Sequence, residues 1–282
     1  MAEASPTVRQ RELAMRLREL RGGLGLTVEE VAGRLLCSPT KISRIETGAR
    51  RVSLRDVRDL CQLYGVGEQS TADLMDLARQ AREPGWWTQY DDLALGPYLG
   101  LEQEATALTH FSMYFVNGLL QTEDYARTII KTVNPKINPK VLNDRVEARL
   151  HRQQVLERED RPRLRSLLDE GVLLRPVGGP EVMSGQLSKI LQVVSEEKAT
   201  VQVIRFNSGA HASVDGDFTY MEFAYSSLPD VVSVEGLLST LYQERPAELA
   251  RYRETLEYLR DSALSPRDSL SLIAEIKNTY AG

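Results

Sequence analysis

Residues 27–48 read TVEEVAGRLLCSPTKISRIETG, and this stretch decides how the first part of the chain folds. Thr27 followed three positions later by Glu30 forms a capping box, in which the side chains and backbone of a helix start satisfy one another. Val28, Val31, Ala32, Leu35 and Leu36 then share one face at helical spacing. Ser38-Pro39 is a second start, an N-cap with proline at the first helical position. In that second helix Ile42 and Ile45 point inward, and Gly48 suits the left-handed position that closes a helix. The stretch therefore reads as two short helices joined by a tight turn at Leu36–Ser38, with Ala32 small where the two approach. Burying Ile42 and Ile45 leaves Pro39, Thr40, Lys41 and Arg44 on the outward face, with Arg50-Arg51 just past the helix end.

Helical patterns continue on both sides. Leu13, Leu17, Leu20 and Leu24 make a stripe that Gly22, Gly23 and Gly25 interrupt. Ser53 caps a helix bearing Leu54, Val57, Leu60, Cys61 and Tyr64, ended by Gly65, and a fifth helix spans about residues 69–82. Five helices enclosing two that meet at a tight turn describe a helix-turn-helix domain. Its second helix fits a major groove about 12 Å wide, with N-terminal residues nearest the bases. Pro39, Thr40, Lys41 and Arg44 are the expected base-reading residues. Thr27, Ser38, Ser43, Thr47, Arg50 and Arg51 are the expected phosphate contacts, which position without reading sequence. Glu46 has the wrong charge for DNA and is expected to pair with Arg18 or Arg21 of the first helix.

The charge distribution agrees. Residues 1–60 hold 12 Lys/Arg against 8 Asp/Glu, whereas the remainder holds 23 against 32, within a net charge of −5. A basic head on an acidic body points to a polyanion partner for the head alone. No apolar run is long enough to span a bilayer, and the N-terminus has no signal-type apolar region, so a cytoplasmic, nucleoid-associated location is expected. The two cysteines, Cys37 and Cys61, supply neither a disulfide scaffold nor a zinc site and read as small buried residues.

Glu83-Pro84-Gly85 marks a boundary, followed by Trp86, Trp87 and Tyr90, which read either as an interdomain packing clamp or as a stacking wall. The expected division is 1–83 for the DNA-binding domain, 84–97 for a connector and 98–282 for a larger domain. Residues 98–133 read as helical with a break at Asn117-Gly118, and a charged helix follows over about 140–159. Arg163–Leu168, Thr200–Phe206, Phe218–Phe223 and Val231–Val234 read as strands, and 237–263 and 266–279 as helices. The fold class is mainly α with an α+β second domain, a small sheet of three or four strands surrounded by helices.

Residues 9–82 resemble the XRE, lambda-repressor-like DNA-binding domain through Thr27, Ala32, the run Ile42-Ser43-Arg44-Ile45-Glu46-Thr47-Gly48, and Arg50. That family often places Gln where this chain has Val28, which removes a Gln-mediated adenine contact. The remainder resembles the second domain of WhiJ-like regulators of actinobacteria, sometimes described as antitoxin-like. The carriers are Gly85-Trp86-Trp87, Tyr98-Leu99-Gly100-Leu101-Glu102, Gly118-Leu119-Leu120-Gln121-Thr122, Tyr125-Ala126-Arg127 and Gln186-Leu187 among others. The resemblance implies a transcriptional regulator of the actinobacteria.

No motif of catalysis or nucleotide binding is present, and neither an enzyme activity, a cofactor nor a metal is expected. Asp169-Glu170 are adjacent and so do not oppose one another across a site. His211, Asp215 and Asp217 offer metal-type ligands, but their loop has the composition a hairpin needs anyway. His110 and His151 read as isolated helix-face residues. The second domain is expected to form a homodimer on an inverted-repeat operator and to sense a small ligand or partner protein. Trp86, Trp87, Tyr114, Tyr125 and Tyr220 are its candidate pocket residues. The alternative is an antitoxin-like protein that neutralises a small partner protein and autoregulates its operon.

Overall fold

The computed structural model describes residues 5–90, 96–213, 216–224, 228–236 and 239–281. The N-terminal helices are α1 (Pro6–Gly23), α2 (Val28–Arg34), α3 (Pro39–Glu46), α4 (Leu54–Leu63) and α5 (Glu68–Gln80). Ser5, Thr27, Ser38 and Ser53 each cap the helix that follows, accepting the N–H of Val8, Glu30, Lys41 and Asp56. Each such cap is worth about 1 kcal/mol. Leu13, Leu17, Val31, Ala32, Ile42, Ile45, Val57, Leu60 and Leu77 close one apolar core. Cys61 is buried in it and Cys37 packs against it half-buried. Gly48 takes φ +68°, which a side chain rarely adopts.

The chain divides into two compact units, and the first holds Leu95–Glu104 and Ala224–Leu228 as well as Met1–Thr88. Helix α6 (Gly96–Glu104), which the expected division assigned to the second domain, thus groups with the N-terminal helices. Its contact is with the start of α1. Ser5 N–H donates to Glu104 Oε1 at 2.9 Å and Ser5 Oγ donates to the Gly100 carbonyl at 2.7 Å. A Cβ at Gly100 would collide with Thr7, so the close approach requires glycine.

The second unit is built on a six-stranded mixed sheet of order β3-β2-β1-β4-β5-β6. Strands β1 (Ala107–Ser112), β2 (Arg163–Asp169) and β3 (Ala199–Ile204) run parallel. Strands β4 (Phe218–Glu222), β5 (Val231–Glu235) and β6 (Thr240–Gln243) continue antiparallel from β1. Two strands depart from the sequence expectation. β1 lies where a helix was expected: all six of its residues are buried, so a strand covered on both faces shows no alternation. β6 precedes α11 (Pro246–Ser262), whose proline at the first turn starts the helix later than the pattern implied.

Helix α11 covers one sheet face, where Phe111, Leu167, Ile204, Phe218, Tyr220 and Val232 pack with Leu249, Leu256 and Leu259. The segment 116–122 lies over the other face. Asn117 Nδ2 donates to Ser166 Oγ at 3.1 Å, and Gln186 of α10 (Pro180–Ser195) donates to the Leu120 carbonyl at 2.7 Å. His110 sits on this face inside the sheet, its Nδ1 2.9 Å from Thr219 Oγ1, and not on a helix. Helices α7 (Glu123–Val133), α8 (Pro139–Arg152) and α9 (Glu170–Leu174) complete the crossovers. Helix α12 (Pro266–Ala281) shields the β3 edge, with Ser269 Oγ accepting from Val203 N–H at 3.0 Å. No described helix is long and apolar enough to cross a membrane.

Candidate nucleic-acid interface

The geometry of α3 follows from its two anchors. Ile42 and Ile45 are 1% and 2% exposed, and the helix has no freedom to roll. At its C-terminal end Glu46 is buried and paired with Arg21 of α1, as expected. The guanidinium grips both carboxylate oxygens, with Nε at 2.8 and 3.0 Å and Nη2 at 2.8 Å, while Nη1 donates to the Leu26 carbonyl at 2.7 Å. That hydrogen bond to Glu46 holds the Arg21 pKa above its usual value. The buried Tyr64 lies beside the pair, and burial pushes its phenol pKa up.

What remains outward is Pro39, Thr40, Ser43, Arg44 and Thr47, all exposed, followed by exposed Arg50 and Arg51. Lys41 departs from the expectation. It is half-buried, and its Nζ pairs with Asp56 Oδ1 of α4 at 2.5 Å. The capping Ser53 places Asp56 in the first turn of α4, and its carboxylate reaches back to Lys41. The pairing and the cap from Ser53 hold the Asp56 pKa below its usual value, against the opposing effect of burial. Lys41 therefore tethers α3 to α4, and of the expected reading set Pro39, Thr40 and Arg44 remain exposed, beside Ser43 of the expected phosphate set.

The phosphate candidates differ in what they have left to offer. Thr27 gives its N–H to Glu30 Oε2 at 2.8 Å and accepts the Glu30 N–H at 3.1 Å, so only its hydroxyl proton is available. Ser38 likewise accepts from Lys41 N–H and retains its proton. Thr47 turns its hydroxyl onto the Ser43 carbonyl at 2.9 Å. Arg50 and Arg51 are unencumbered by any such cap. Arg55, in the first turn of α4 with its side chain 87% exposed, is a cation that the sequence reading did not select. The Ser53 cap that starts α4 was the signal that placed it beside a helix N-terminus. Val28, where Gln is common in the resembled family, packs against the core.

The aromatic residues expected to line a pocket stand in different surroundings. Trp86 and Trp87, in the first unit, open the 3-10 turn Trp86–Gln89 edge to face at 5.9 Å, and the Trp87 ring lies over Gly85. In the second unit Tyr125 is fully buried with its hydroxyl accepting from Val116 N–H. Tyr220 is buried under α11 and donates to Asp230 Oδ2 at 3.0 Å, while Tyr114 is 51% exposed. Two open concavities of about 650 and 680 Å³ are formed on α1, α4 and α5, and none of these five aromatic residues lines either.

The loop between β3 and β4 is not a hairpin, because β2 and β1 lie between those strands in the sheet. It crosses the carboxyl ends of both and brings His211 to Asp169 and Asp217 to the end of β1. Asp215 lies outside the described residues. Among the described residues no group of three or more His, Cys, Asp or Glu has the geometry to hold a metal ion.

Comparison with known families gives two matches. A model described as a helix-turn-helix domain matches residues 12–74, and one described as a domain of unknown function, DUF5753, matches residues 95–275. The second match covers well over half of the chain and begins at α6, the helix that packs on α1. No curated protein and no solved structure matches the chain.

Proposed function

We propose, starting from a chain that belongs to the DUF5753 family and carries a helix-turn-helix domain ahead of it, that this protein is a sequence-specific transcriptional regulator whose acidic second domain controls it. The observation that carries the reading is the outer face of α3. Thr40, Ser43 and Arg44 are exposed on a helix fixed by the buried Arg21–Glu46 pair, and the chain just past it carries the exposed Arg50 and Arg51 and, at the start of α4, Arg55. A rigid helix with a polar tip and flanking cations meets the requirements of groove entry.

In this reading the DNA-binding unit is of XRE type and the second domain WhiJ-like, in an actinobacterial regulator working in the cytoplasm without catalytic activity of its own. One such unit presents a single reading helix, too small a footprint for tight specific binding. A homodimer on an inverted repeat places two of them about 34 Å apart, one turn of DNA. Mapping bound DNA across the genome, with light scattering on the full chain, tests this. Inverted repeats and a dimeric mass support it. A monomer both free and on DNA overturns the dimer, and a map with no enriched sequence overturns the regulator.

A further inference from the structure

The carboxyl ends of β1, β2 and β3 carry a cluster that the DNA interface does not use. In open sheets with parallel strands, ligands bind in the crevice outside the carboxyl ends. Here Asp169 ends β2, the β3–β4 loop passes across that end, and Asp217 enters β4 beside the end of β1. Sequence distance hid the cluster, and the crossing loop assembles it.

Asp169 and His211 each have one valence committed and one open. Asp169 Oδ1 accepts from Gly171 N–H at 2.8 Å, capping α9, and Oδ2 remains. Asp217 is held more fully, its carboxylate accepting from the backbone N–H of Met113, at 2.8 Å on Oδ1, and of Tyr114. His211 has a side chain only 8% exposed, and its ring packs edge-on against Phe111 at 5.2 Å. Its Nδ1 accepts from Ser213 N–H, so the neutral ring carries its proton on Nε2. That proton has no hydrogen-bond partner among the described residues, and the nearest carboxylate oxygen, Asp169 Oδ2, is 3.9 Å away. This is too long for a direct bond. One hydroxyl oxygen about 2.8 Å from each fills the gap, accepting from Nε2 and donating to Oδ2.

Aromatic surface borders the cluster on two sides. Phe206 is 59% exposed, and a Cβ placed on Gly171 would lie 3.5 Å from its ring and 2.8 Å from Asp169 Oδ1, so ring and carboxylate share one rim. Tyr114, 51% exposed, follows Met113, whose N–H Asp217 holds. The charge facing this space is negative. Burial, reinforced by Glu235 and Asp169, pushes the Asp217 pKa up to about 6, while Glu170 is engaged with Phe206 N–H and with Arg205.

The geometry points to a recognition site at this end of the sheet for a small hydroxylated ring compound bearing a protonated amine, of the amino sugar or aminocyclitol class. A hydroxyl bridges His211 and Asp169, the ammonium lies toward Asp217, and an apolar ring face rests on Phe206. The two carboxylates select the cation, the donor–acceptor gap selects a hydroxyl, and the exposed rings select a flat C–H face. The assignment deepens the reading of the second domain as the controlling one and rests on it for its consequence at DNA.

The test is titration of the full chain with glucosamine, glucose and N-acetylglucosamine, following the His211 ring by proton–carbon NMR at pH 7 and DNA affinity in parallel. Glucosamine is expected to shift the His211 ring and to bind at least tenfold more tightly than the two neutral sugars. Asp169→Asn, which preserves the α9 cap, and Phe206→Ala, at an exposed position, are each expected to weaken it at least fivefold with unchanged circular dichroism. An unmoved His211 ring with all three sugars, or equal response to charged and neutral ones, overturns the site. A shifted ring with DNA affinity unchanged keeps the site and overturns its link to regulation. Loss of DNA binding with the site intact strikes only the reading of α3.

Discussion

Two sets of buried charges in this molecule are put together on opposite principles. Around Arg21 and Glu46 the carboxylate and guanidinium lock as a fork, bonded through both carboxylate oxygens, that also takes in a backbone carbonyl. Around Asp169, His211 and Asp217 the groups are held by backbone N–H donors, while Asp169 Oδ2 and His211 Nε2 face each other at 3.9 Å, too far apart for a direct bond. The first arrangement fixes a helix in place, because a saturated pair gains nothing from moving. The second leaves interaction energy unspent at the end of a sheet. Charge that is buried and complete serves shape, and charge that is buried and incomplete has capacity for a partner.

The largest break in that comparison is Glu46→Ala. Removing the carboxylate strands Arg21, whose side chain is only 16% exposed, and breaking a buried pair in this way costs about 3–5 kcal/mol. Thermal unfolding should show the N-terminal unit melting earlier, with Glu46→Gln intermediate. An unchanged melting temperature would remove the claim that this pair anchors α3.

Asp217→Asn probes the incomplete cluster. Its pKa is raised in the folded state, so folding favours the protonated form, and stability from this group falls as pH rises from about 4 through about 6. A shift of this size corresponds to roughly 3 kcal/mol. Asparagine stays neutral, so unfolding of the variant should lose this slope and the variant should gain on the parent above pH 6. A variant that follows the parent's pH profile would refute the assignment to Asp217.

At the DNA interface the expected effects are smaller and differ in kind. Arg44→Ala should cost about 1–3 kcal/mol on a specific site and much less on random DNA. Arg51→Ala should weaken both alike and lower the salt slope by about one unit. Anisotropy titrations at several salt concentrations separate the two, and equal losses on both DNAs for Arg44 would remove it from the reading set. The smallest effect belongs to Lys41→Met. Its partly exposed pair with Asp56 contributes about 1 kcal/mol or less, and specificity should survive its loss.

Legibility in the sequence followed the range of the interactions. The capping box at Thr27, the Ser38-Pro39 start and the inward pair Ile42 and Ile45 are encoded within a turn or two of the chain, and the structure repeats them. The Glu46 charge, wrong for DNA, points to Arg18 or Arg21 of the first helix, and the structure pairs it with Arg21. β1 was missed because its burial on both faces erases the alternation that marks a strand. Lys41 was placed on the reading face because nothing in its own helix announces Asp56. The composition of the His211 loop suits a hairpin, since composition fixes that a chain turns but not which strands it joins. Tyr125 and Tyr220 share an aromatic chemistry that says nothing of where each lies, and the structure buries one against Val116 and the other under α11.

Helix α6 is inherited with one part of the chain and packed into the other. The family match begins at residue 95, whereas Ser5 and Thr7, from ahead of the helix-turn-helix match, clasp Gly100 and Glu104. Lineage and architecture thus draw different borders. Any exchange of DNA-binding heads among such proteins, by recombination or by an engineer, has to carry a matching N-terminal clasp along with the head. A head spliced on without it leaves α6 without the contacts of Ser5 and Thr7, so these two positions bear on which heads this body accepts.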